Sequence, residues 1–396
     1  MNKIAVVVNV YINTTPELNN TFDHPTDYND FESVNSFKHF IKSLNSVVVP
    51  QKYEMELFVF AIATNQDLTK DREIKQKISC IVQGSDYSVY IITNSDVKEL
   101  QSDGSEFPSS KGYCEIRNLG FIFPYYSEAD YVVQFDDDEI IRPNYLVAMT
   151  DIYENNQNIF SLNGLYEKDG KVLVDDSVDY DSWGKNKAMN EDLIRLSKSG
   201  SPVESIFGLG GNMSFKREFF SQVCYPGGVS RGEDFALLLA ARLVFANGNH
   251  LISLPPFKQE FRSYFTSSKD MTIIHQPPEN GQVKKHKLKL DFTRFIMQRA
   301  FLKNYLDFNE LYTLSRYIFQ MLKIDDYLNF VKEVYDEAQS IDSSWYSDEF
   351  INSEIADIEK LLDDYQYRDL FAEYLVYQKK YIGYLEKNKI DINNYL

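Results

Sequence analysis

The sequence predicts an α/β fold, built on a doubly wound and mostly parallel sheet, with a helical extension at its C-terminus. In the first half of the 396-residue chain, short apolar runs typical of buried strands alternate with segments of helical periodicity. Beyond about Leu290 the sequence turns to long amphipathic helices that carry many tyrosines on their apolar faces. We therefore expect an α/β domain over residues 1–289 and a helical region over residues 290–396.

The predicted elements of the α/β domain follow one another in the order of a doubly wound sheet. Apolar runs predict four strands, at residues 4–10, 56–64 and 87–93 and from Tyr131 onward. Helical periodicity predicts a helix over residues 30–45. Residues 163–201 are rich in Asp, Lys, Asn and Gly, so we expect a hairpin or flap there.

The chain is acidic, with a formal net charge of −18 and an isoelectric point of about 4.8, which argues against non-specific nucleic-acid binding. Its three cysteines, Cys80, Cys114 and Cys224, have no CxxC spacing, so neither a disulfide framework nor a zinc site is indicated. Asn9 interrupts the N-terminal apolar run, which we interpret as a strand and not as a signal peptide. No uncharged apolar run reaches the roughly 18 residues of a transmembrane helix. We expect a cytoplasmic protein, with peripheral membrane association left open.

An apolar strand leads into four consecutive acids, Asp136, Asp137, Asp138 and Glu139. At the C-terminal end of a parallel strand they would lie where open α/β sheets bind ligands. On an extended backbone the Asp136 and Asp138 side chains point to the same side, about 6.5 Å apart. Carboxylates about 4 Å apart repel by about 4 kcal/mol at an effective dielectric of about 20, so a partly buried cluster needs a cation. We expect Asp138 and Asp136 to bind Mg²⁺ or Mn²⁺, and a solvated acidic turn is the alternative.

Upstream of this strand, Arg117, Asn118 and Gly120 are expected to open the helix that leads into it. A guanidinium and an amide near a helix N-terminus can hold the anionic or polar parts of a nucleotide. The alternative for Arg117 is an ion pair with a surface acid.

A glycine cluster, Gly208, Gly210 and Gly211, precedes a predicted strand and helix. Glycine allows the backbone to approach a ligand closely. The cluster matches neither a P-loop nor a dinucleotide-binding fingerprint, because no Lys-Ser/Thr pair follows it and it does not follow a first strand. We expect Gly210 and Gly211 to contact the ligand, and a plain turn is the alternative.

Arg231, Gly232, Glu233 and Asp234 precede a strongly apolar helix expected over residues 235–246. Acids in a first helical turn are favoured by the helix dipole, so an N-cap is the alternative explanation. A carboxylate held at a rigid helix start is also a good general base. We expect Asp234 or Glu233 to be catalytic, and favour Asp234 because its shorter side chain is held more rigidly.

His275 follows a short apolar strand and precedes two prolines that restrict the backbone. An imidazole can complete a metal sphere made of carboxylates, so we expect His275 to be a metal ligand. A structural histidine in the core is the alternative.

The one dense basic run of this acidic chain follows His275 and consists of Lys284, Lys285, Lys287 and Lys289. We expect an anion-facing loop, with Lys284 and Lys285 on a diphosphate. A solvated helix face is the alternative.

Together these motifs resemble those of nucleotide-sugar glycosyltransferases of the GT-A fold. The similarity spans about residues 1–280 and consists of five motifs in matching order: DxD (Asp136, Asp138), RNxG (Arg117, Asn118, Gly120), GG-N-S (Gly210, Gly211, Asn212, Ser214), GED (Gly232, Glu233, Asp234) and a late histidine (His275). The resemblance implies a nucleotide-binding half over about residues 1–140 and an acceptor half over about 141–289.

The resemblance also implies site roles. The first strand would lead into a loop that cradles the base, with Val8, Asn9 and Tyr11 as the expected contacts. The first Asp of DxD would contact the ribose, with Asp137 beside it, and the last would bind the metal that bridges the donor diphosphate. The chain departs from the family pattern in an Asn/Thr/Asp-rich insertion after the first strand and in the helical tail.

The activity implied is that of a metal-dependent hexosyltransferase that moves a sugar from a nucleotide-diphosphate sugar, a UDP-sugar by preference, to a hydroxyl of a glycan, lipid-linked or protein acceptor. An inverting reaction with a GED carboxylate as base is favoured, and a retaining one stays open. Two rival functions are a DxD-type phosphatase and a non-catalytic sugar-nucleotide-binding module. The phosphatase motif DxDx(T/V) ends in Thr or Val, whereas this chain has Ile140 at that position, which argues against a phosphatase. The C-terminal helices could bind an acceptor, a partner or a second protomer, which would make a homodimer.

Overall fold

The fold is organised around a mixed, mostly parallel β-sheet. The computed structural model describes residues 1–15, 22, 25–29, 36–101, 105–175, 180–229, 232–246, 261–276, 287–302 and 308–396. The strands within these residues are β1 Asn2–Asn13, β2 Thr26–Asp27, β3 Tyr53–Ala63, β4 Ser88–Ile92, β5 Tyr131–Asp136, β6 Glu139–Ile140, β7 Ser161–Asn163, β8 Tyr166–Glu167, β9 Val203–Glu204, β10 Met213–Lys216, β11 Ser263–Phe265 and β12 Ile273–His275. The main sheet has the order β4-β3-β1-β5-β10-β7-β11-β9, with β2 beside β1, and a smaller sheet has the order β6-β12-β8.

Helices cover both faces of the main sheet and make up the C-terminal region. Within the described residues they are α1 Ser36–Leu44, α2 Asp71–Val82, α3 Asn94–Leu100, α4 Tyr113–Tyr126, α5 Tyr145–Asn155, α6 Lys185–Ser197, α7 Arg217–Phe220, α8 Glu233–Ala246, α9 Lys287–Leu302, α10 Phe308–Leu314, α11 Arg316–Leu322, α12 Tyr327–Ile341, α13 Asp348–Gln366 and α14 Leu370–Lys387, with 3₁₀ turns at Leu68–Lys70 and Ile392–Tyr395. Every one of these helices is too short or too polar to span a lipid bilayer. The predicted α/β class, with a mostly parallel sheet and a helical C-terminal region, is confirmed.

β1 lies at the centre of the sheet because both of its faces are apolar. It runs parallel to β3 on one side and to β5 on the other, and places Asn9 opposite Asp136. Ala5 and Val7 face the apolar cluster that includes α4, whereas Val6 and Val8 face the cluster that includes α1 and α2. Burial on both faces is typical of a parallel strand.

The sheet topology brings distant segments to the carboxyl edge of β5. β10 runs antiparallel to β5, so the glycine cluster before β10 lies where β5 ends. α4 precedes β5 and packs against β1, β3 and β5, so the N-terminal half of α4 lies at the same edge. β12 pairs antiparallel with β6 and places His275 opposite Glu139. These pairings position the candidate site.

Two predicted elements were wrong in detail, and a third was incomplete. α4 begins at Tyr113, so Arg117 and Asn118 lie in its second turn and do not open it. β5 ends at Asp136, and a turn separates it from β6, so Asp136 and Asp138 do not share one extended strand. Residues 163–201 contain α6 in addition to the hairpin closed by the Lys168–Lys171 bridge.

The C-terminal helices share one apolar core with the α/β body. That core runs from Ala5 to Ile392. The Tyr381 hydroxyl of α14 donates to the Phe220 carbonyl at 2.5 Å, and the Gln378 amide donates to the Gln222 carbonyl at 2.7 Å. The expected division at residues 289 and 290 stays a prediction, and the two parts are joined by continuous packing.

Candidate functional site

Arg117 joins the acidic turn to the start of α8. Its Nη2 donates to Asp136 Oδ1 at 2.7 Å, and its Nε lies 3.5 Å from Glu233 Oε1. The Arg117 side chain is 3% exposed, so this cation is held away from water between two carboxylates. The alternative of an ion pair at the surface does not describe Arg117, because its guanidinium is buried even though the Asp136 side chain is 33% exposed. Burial raises the pKa of Asp136, and the Arg117 charge opposes that rise.

Asp138 and His275 meet at the end of the small sheet. His275 Nε2 lies 3.4 Å from Asp138 Oδ2, and the Gln276 N–H donates to the Asp138 carbonyl at 2.8 Å. The centre of the Tyr166 ring lies 5.2 Å from that of the His275 ring, so the two rings pack against each other. Residues 137 positions apart in sequence are thus brought together as predicted, because β12 pairs with β6 directly after the acidic turn.

The other two acids of the turn, Asp137 and Glu139, have raised pKa values. Burial, followed by the charges of Asp138 and Asp136, raises the pKa of Asp137 well above its usual range. Burial and the charges of Asp136 and Asp138 likewise raise the pKa of Glu139 well above its usual range. A bound cation would relieve this repulsion, as expected for a buried cluster of carboxylates.

Glu139 is a site residue that sequence reasoning did not select. It is fully buried, and its Oε2 accepts the N–H of Asp136 at 3.1 Å, which closes the acidic turn. A Cβ built on Gly211 would overlap Glu139 Oε1 and lie 2.7 Å from the Tyr166 hydroxyl. The available signal was the apolar segment after Glu139, which indicates that this acid points into the protein.

The glycine cluster lies against both acidic motifs. The Gly211 N–H donates to the Tyr166 hydroxyl at 2.7 Å. A Cβ on Gly210 would lie 3.3 Å from Arg117 Nη2 and 3.5 Å from Asp234 Oδ2. Only glycine at position 211 leaves room for Glu139, so the close approach predicted for this cluster is partly an approach to the protein itself.

Glu233 and Asp234 form the first turn of α8. Gly232 precedes them with a φ of +73°, a conformation that glycine adopts without strain. Burial and the neighbouring Glu233 charge raise the pKa of Asp234 to about 7. A carboxyl group with a pKa near the working pH is suited to take and release a proton.

Of the three residues expected at the end of β1, two present polar groups to this site. The Asn9 side chain is fully buried beside Asp136, and neither of its polar atoms has a hydrogen-bond partner among the described residues. The buried Tyr11 hydroxyl is also without such a partner in the described part of the chain. Buried polar groups of this kind are costly unless a ligand or water satisfies them. The Val8 side chain lies in the core on the other face.

Asn118 and Gly120 of the RNxG motif have packing roles. The Asn118 amide donates to the Tyr225 carbonyl at 3.0 Å and accepts the Tyr225 N–H at 2.7 Å, so its side chain is occupied within the core. A Cβ on Gly120 would lie 2.8 Å from Val7 Cγ1, so glycine lets α4 approach the sheet. The structure therefore does not bring the Asn118 side chain into the site.

The basic run divides between described and undescribed residues. Lys284 and Lys285, like Arg231, lie outside the described residues. Lys287 and Lys289 belong to α9 and not to a loop, and Lys289 pairs with Glu354 at 2.9 Å and Asp357 at 2.8 Å. The prediction that all four lysines form an anion-facing loop is wrong for these two.

Asp138 and His275 could together provide two ligands for a divalent cation. No group of three or more His, Cys, Asp or Glu side chains forms a metal cluster within the described ranges. Asp138 and His275 offer a carboxylate and an imidazole 3.4 Å apart, close to the roughly 3 Å between adjacent ligands at about 2.1 Å from an octahedral ion. This donor set suits Mn²⁺ or Mg²⁺, whose other coordination positions water can fill.

Comparison with known proteins yields structural likenesses only. No protein-family model matches the sequence, and no curated protein matches it. The structure is similar to that of mannosyltransferase PcManGT from Pyrobaculum calidifontis in complex with GDP-Man and Mn²⁺, at 12% identity and a TM-score of 0.47, over 97% of this chain and 88% of that one. It is also similar to S. aureus TarS, at 13% identity and a TM-score of 0.41, over 94% of this chain and 55% of that one. Related folds host many activities, so neither likeness assigns a function.

Proposed function

We propose that this protein is a metal-dependent glycosyltransferase of the GT-A type. It would transfer a hexose from a nucleotide-diphosphate sugar, a UDP-sugar by preference, to a hydroxyl group. The observation that carries the proposal is the position of Arg117, whose guanidinium contacts Asp136 of the DxD motif at 2.7 Å and Glu233 of the GED motif at 3.5 Å. Motifs about a hundred residues apart therefore face one site, with Asp138 and His275 beside it.

The donor would lie along the carboxyl edge of the sheet. Asn9 and Tyr11 offer buried polar groups with no partner among the described residues, on the side of β1 that faces α4. Asp136, held in place by Arg117, and the neighbouring Asp137 would contact the ribose. The backbone at Gly210 and Gly211 would form the opposite wall, and Lys284 and Lys285 stay proposed diphosphate contacts.

Asp138 and His275 would hold Mn²⁺ or Mg²⁺ at the diphosphate. The ion, when bound, neutralises charge on the diphosphate and makes it a better leaving group. Asp136 also contributes negative charge at this position, although its Oδ1 is occupied by Arg117. Glu139 would help to hold the turn that carries Asp136 and Asp138, since it accepts the Asp136 N–H.

Asp234 would take the proton from the acceptor hydroxyl in an inverting reaction. Its raised pKa of about 7 suits a general base, a role that contributes about 10²–10⁴ in rate. Glu233 would orient the site through Arg117. If the reaction retains configuration, both acids would position substrates instead.

The rival functions find less support at the same residues. In a DxD-type phosphatase the first Asp must be free to attack phosphorus, but Asp136 Oδ1 is paired with Arg117. The buried carboxyl cluster of Glu233 and Asp234 beside Arg117, in which the pKa of Asp234 is raised to about 7, supports a catalytic site more than a non-catalytic binding module. A glycan, lipid-linked or protein acceptor, a cytoplasmic location with peripheral membrane association, and a homodimer through the C-terminal helices stay proposals that rest on the resemblance.

The test is turnover of nucleotide sugars. The protein is incubated with Mn²⁺ and UDP-glucose, UDP-N-acetylglucosamine or GDP-mannose, and released nucleotide and inorganic phosphate are measured. We expect nucleotide release that EDTA abolishes and that Asp138→Asn lowers strongly. Arg368→Met, which breaks an exposed ion pair with Glu373, serves as the control with normal release. Phosphate release from phosphomonoesters, without release of nucleotide from any donor, would instead support a phosphatase.

A further inference from the structure

The C-terminal helical region reaches the GED motif through α9. A Cβ built on Gly232 would overlap the Arg294 side chain and lie 3.3 Å from Gln298 Nε2, so α9 lies directly against this turn. The Arg294 guanidinium also lies 5.9 Å from the centre of the Phe235 ring. Arg294 therefore packs against the residues on either side of Glu233 and Asp234.

Arg294 is held in this position by buried partners. Its side chain is 10% exposed, its Nη2 donates to the Tyr317 hydroxyl at 2.8 Å, and the same atom lies 3.2 Å from Asp291 Oδ1. The other oxygen of Asp291 lies 2.5 Å from Lys185 Nζ. Asp291 is thus shared between Arg294 and Lys185, so it does not pair with Arg294 alone.

The charged and titratable groups that face Asp234 come from several elements. Among the described residues they include Glu233 on the same helix, Arg294 on α9, Arg117 on α4 and the phenol of Tyr225. Arg117 is already shared by Asp136 and Glu233. Of the two cations that lower the pKa of Asp234, Arg294 has the larger effect.

We propose that Arg294 is a positioning residue of the active site, which braces the Gly232–Glu233–Asp234 turn and supplies the positive charge that Asp234 needs to work as a base. The C-terminal helices are then part of the catalytic unit and not an appended module. The proposal rests on the proposed function for the role of Asp234 in transfer, but the contact with Arg294 can be tested without any substrate. Loss of the cation leaves neighbouring carboxylates uncompensated, so Asp234 keeps its proton to a higher pH.

The first test is a double-mutant cycle of Arg294→Met and Asp234→Asn, followed by thermal unfolding at pH 8 and pH 5. At pH 8 we expect Arg294→Met to lower Tm less in the Asp234→Asn background than in the wild type, because the charge that Arg294 compensates has gone. At pH 5, where Asp234 is protonated, the effect of Arg294→Met on Tm should be the same in both backgrounds. Arg299→Met is the matched control, since Arg299 lies on the same helix and donates to the Ile324 carbonyl. Additive losses for Arg294 at both pH values would overturn the inference. If Arg294→Met does not fold, Arg294→Gln is taken through the same cycle.

The second test uses whichever of UDP-glucose, UDP-N-acetylglucosamine and GDP-mannose is turned over with Mn²⁺. We expect Arg294→Met to lower kcat by about 10- to 100-fold, because a misplaced general base loses part of its roughly 10²–10⁴-fold contribution to the rate. The KM for the donor should stay nearly unchanged. The acidic limb of the kcat profile should move up by about one pH unit, as expected when an opposite charge is removed. Arg294→Lys should keep the limb near its wild-type position. An unmoved limb in Arg294→Met, or equal loss in Arg299→Met, would overturn the positioning role.

The two tests separate two kinds of failure. If no donor is turned over but the cycle shows coupling at pH 8 alone, the proposed function is wrong and the electrostatic contact stands. If a donor is turned over and the cycle is additive, the role of Arg294 is wrong and the proposed function stands.

Discussion

The buried guanidinium of Arg117 offers the sharpest test of how the site is held together. In Arg117→Met, two acids lose the cation that lies 2.7 Å from Asp136 and 3.5 Å from Glu233. Removing one partner of a fully buried ion pair costs about 3–5 kcal/mol, because an uncompensated charge is left behind. The Asp136 side chain is 33% exposed, so water screens part of that charge and we expect a cost of about 2–3 kcal/mol. At about 2.1 cal/mol/K per residue, a chain of 396 residues has an unfolding entropy of about 0.8 kcal/mol/K, so Tm should fall by about 2–4 °C.

The pH dependence of this loss distinguishes lost charge compensation from lost packing. The pKa of Asp136 in the folded wild type already lies above its usual value, and removal of Arg117 raises it further. The folded variant therefore binds a proton that the unfolded chain has released, so its stability falls as the pH rises above the ordinary carboxyl range. We expect the Tm difference from wild type to be large at pH 8 and smaller at pH 5.

The assay is differential scanning calorimetry of wild type, Arg117→Met and the double variant Arg117→Met/Asp136→Asn. The double variant should recover part of the loss, because an amide is far less costly to bury than an unpaired carboxylate. Arg368→Met is the control, since exposed ion pairs contribute about 0–1 kcal/mol. A Tm loss of equal size at pH 5 and pH 8, or an unchanged Tm at both, would refute the reasoning.

The other predictions concern binding and transfer. Asp138→Asn should abolish Mn²⁺-dependent binding of UDP in calorimetry while the far-UV spectrum stays unchanged, and binding equal to wild type would contradict the metal assignment. His275→Ala should weaken the same binding with little loss of Tm, whereas normal activity with a large loss of Tm would identify a structural histidine. Asp234→Asn should retain donor binding and lose several hundred-fold in transfer, within the roughly 10²–10⁴ of a general base, and wild-type transfer should fall as the pH drops below about 7. Since the folded pKa of Asp234 lies above its usual 3.8, wild-type stability should decline between about pH 4 and 7, and Asp234→Asn should flatten that decline, as followed by Tm. Product with the anomeric configuration of the donor would exclude the base role. Gly211→Ala should disturb the Glu139 carboxyl and weaken metal binding, and unchanged binding would show that the turn can shift.

Local pattern predicted most of the α/β body. The apolar runs at β1, β3, β4 and β5 appear as strands, because burial on both faces leaves a continuous hydrophobic signal. The candidate site residues were selected for a related reason. Strand ends and helix starts carry polar residues whose types stand out against an apolar background, and the topology of an α/β sheet brings such ends to one edge.

What sequence alone determined here is therefore the set of elements and the set of polar candidates, since both depend on residues close in sequence. Tertiary structure decided which candidates are free to act. It occupied the Asn118 amide with the Tyr225 backbone, paired Lys289 with Glu354, and turned Glu139 inward to close the acidic turn. It also placed Arg294 of a helix without a recognisable motif against Gly232, a contact across 62 positions that no local periodicity encodes. Such contacts follow from how apolar faces pack across the whole chain, and that packing assigns each polar side chain either to the site or to the core.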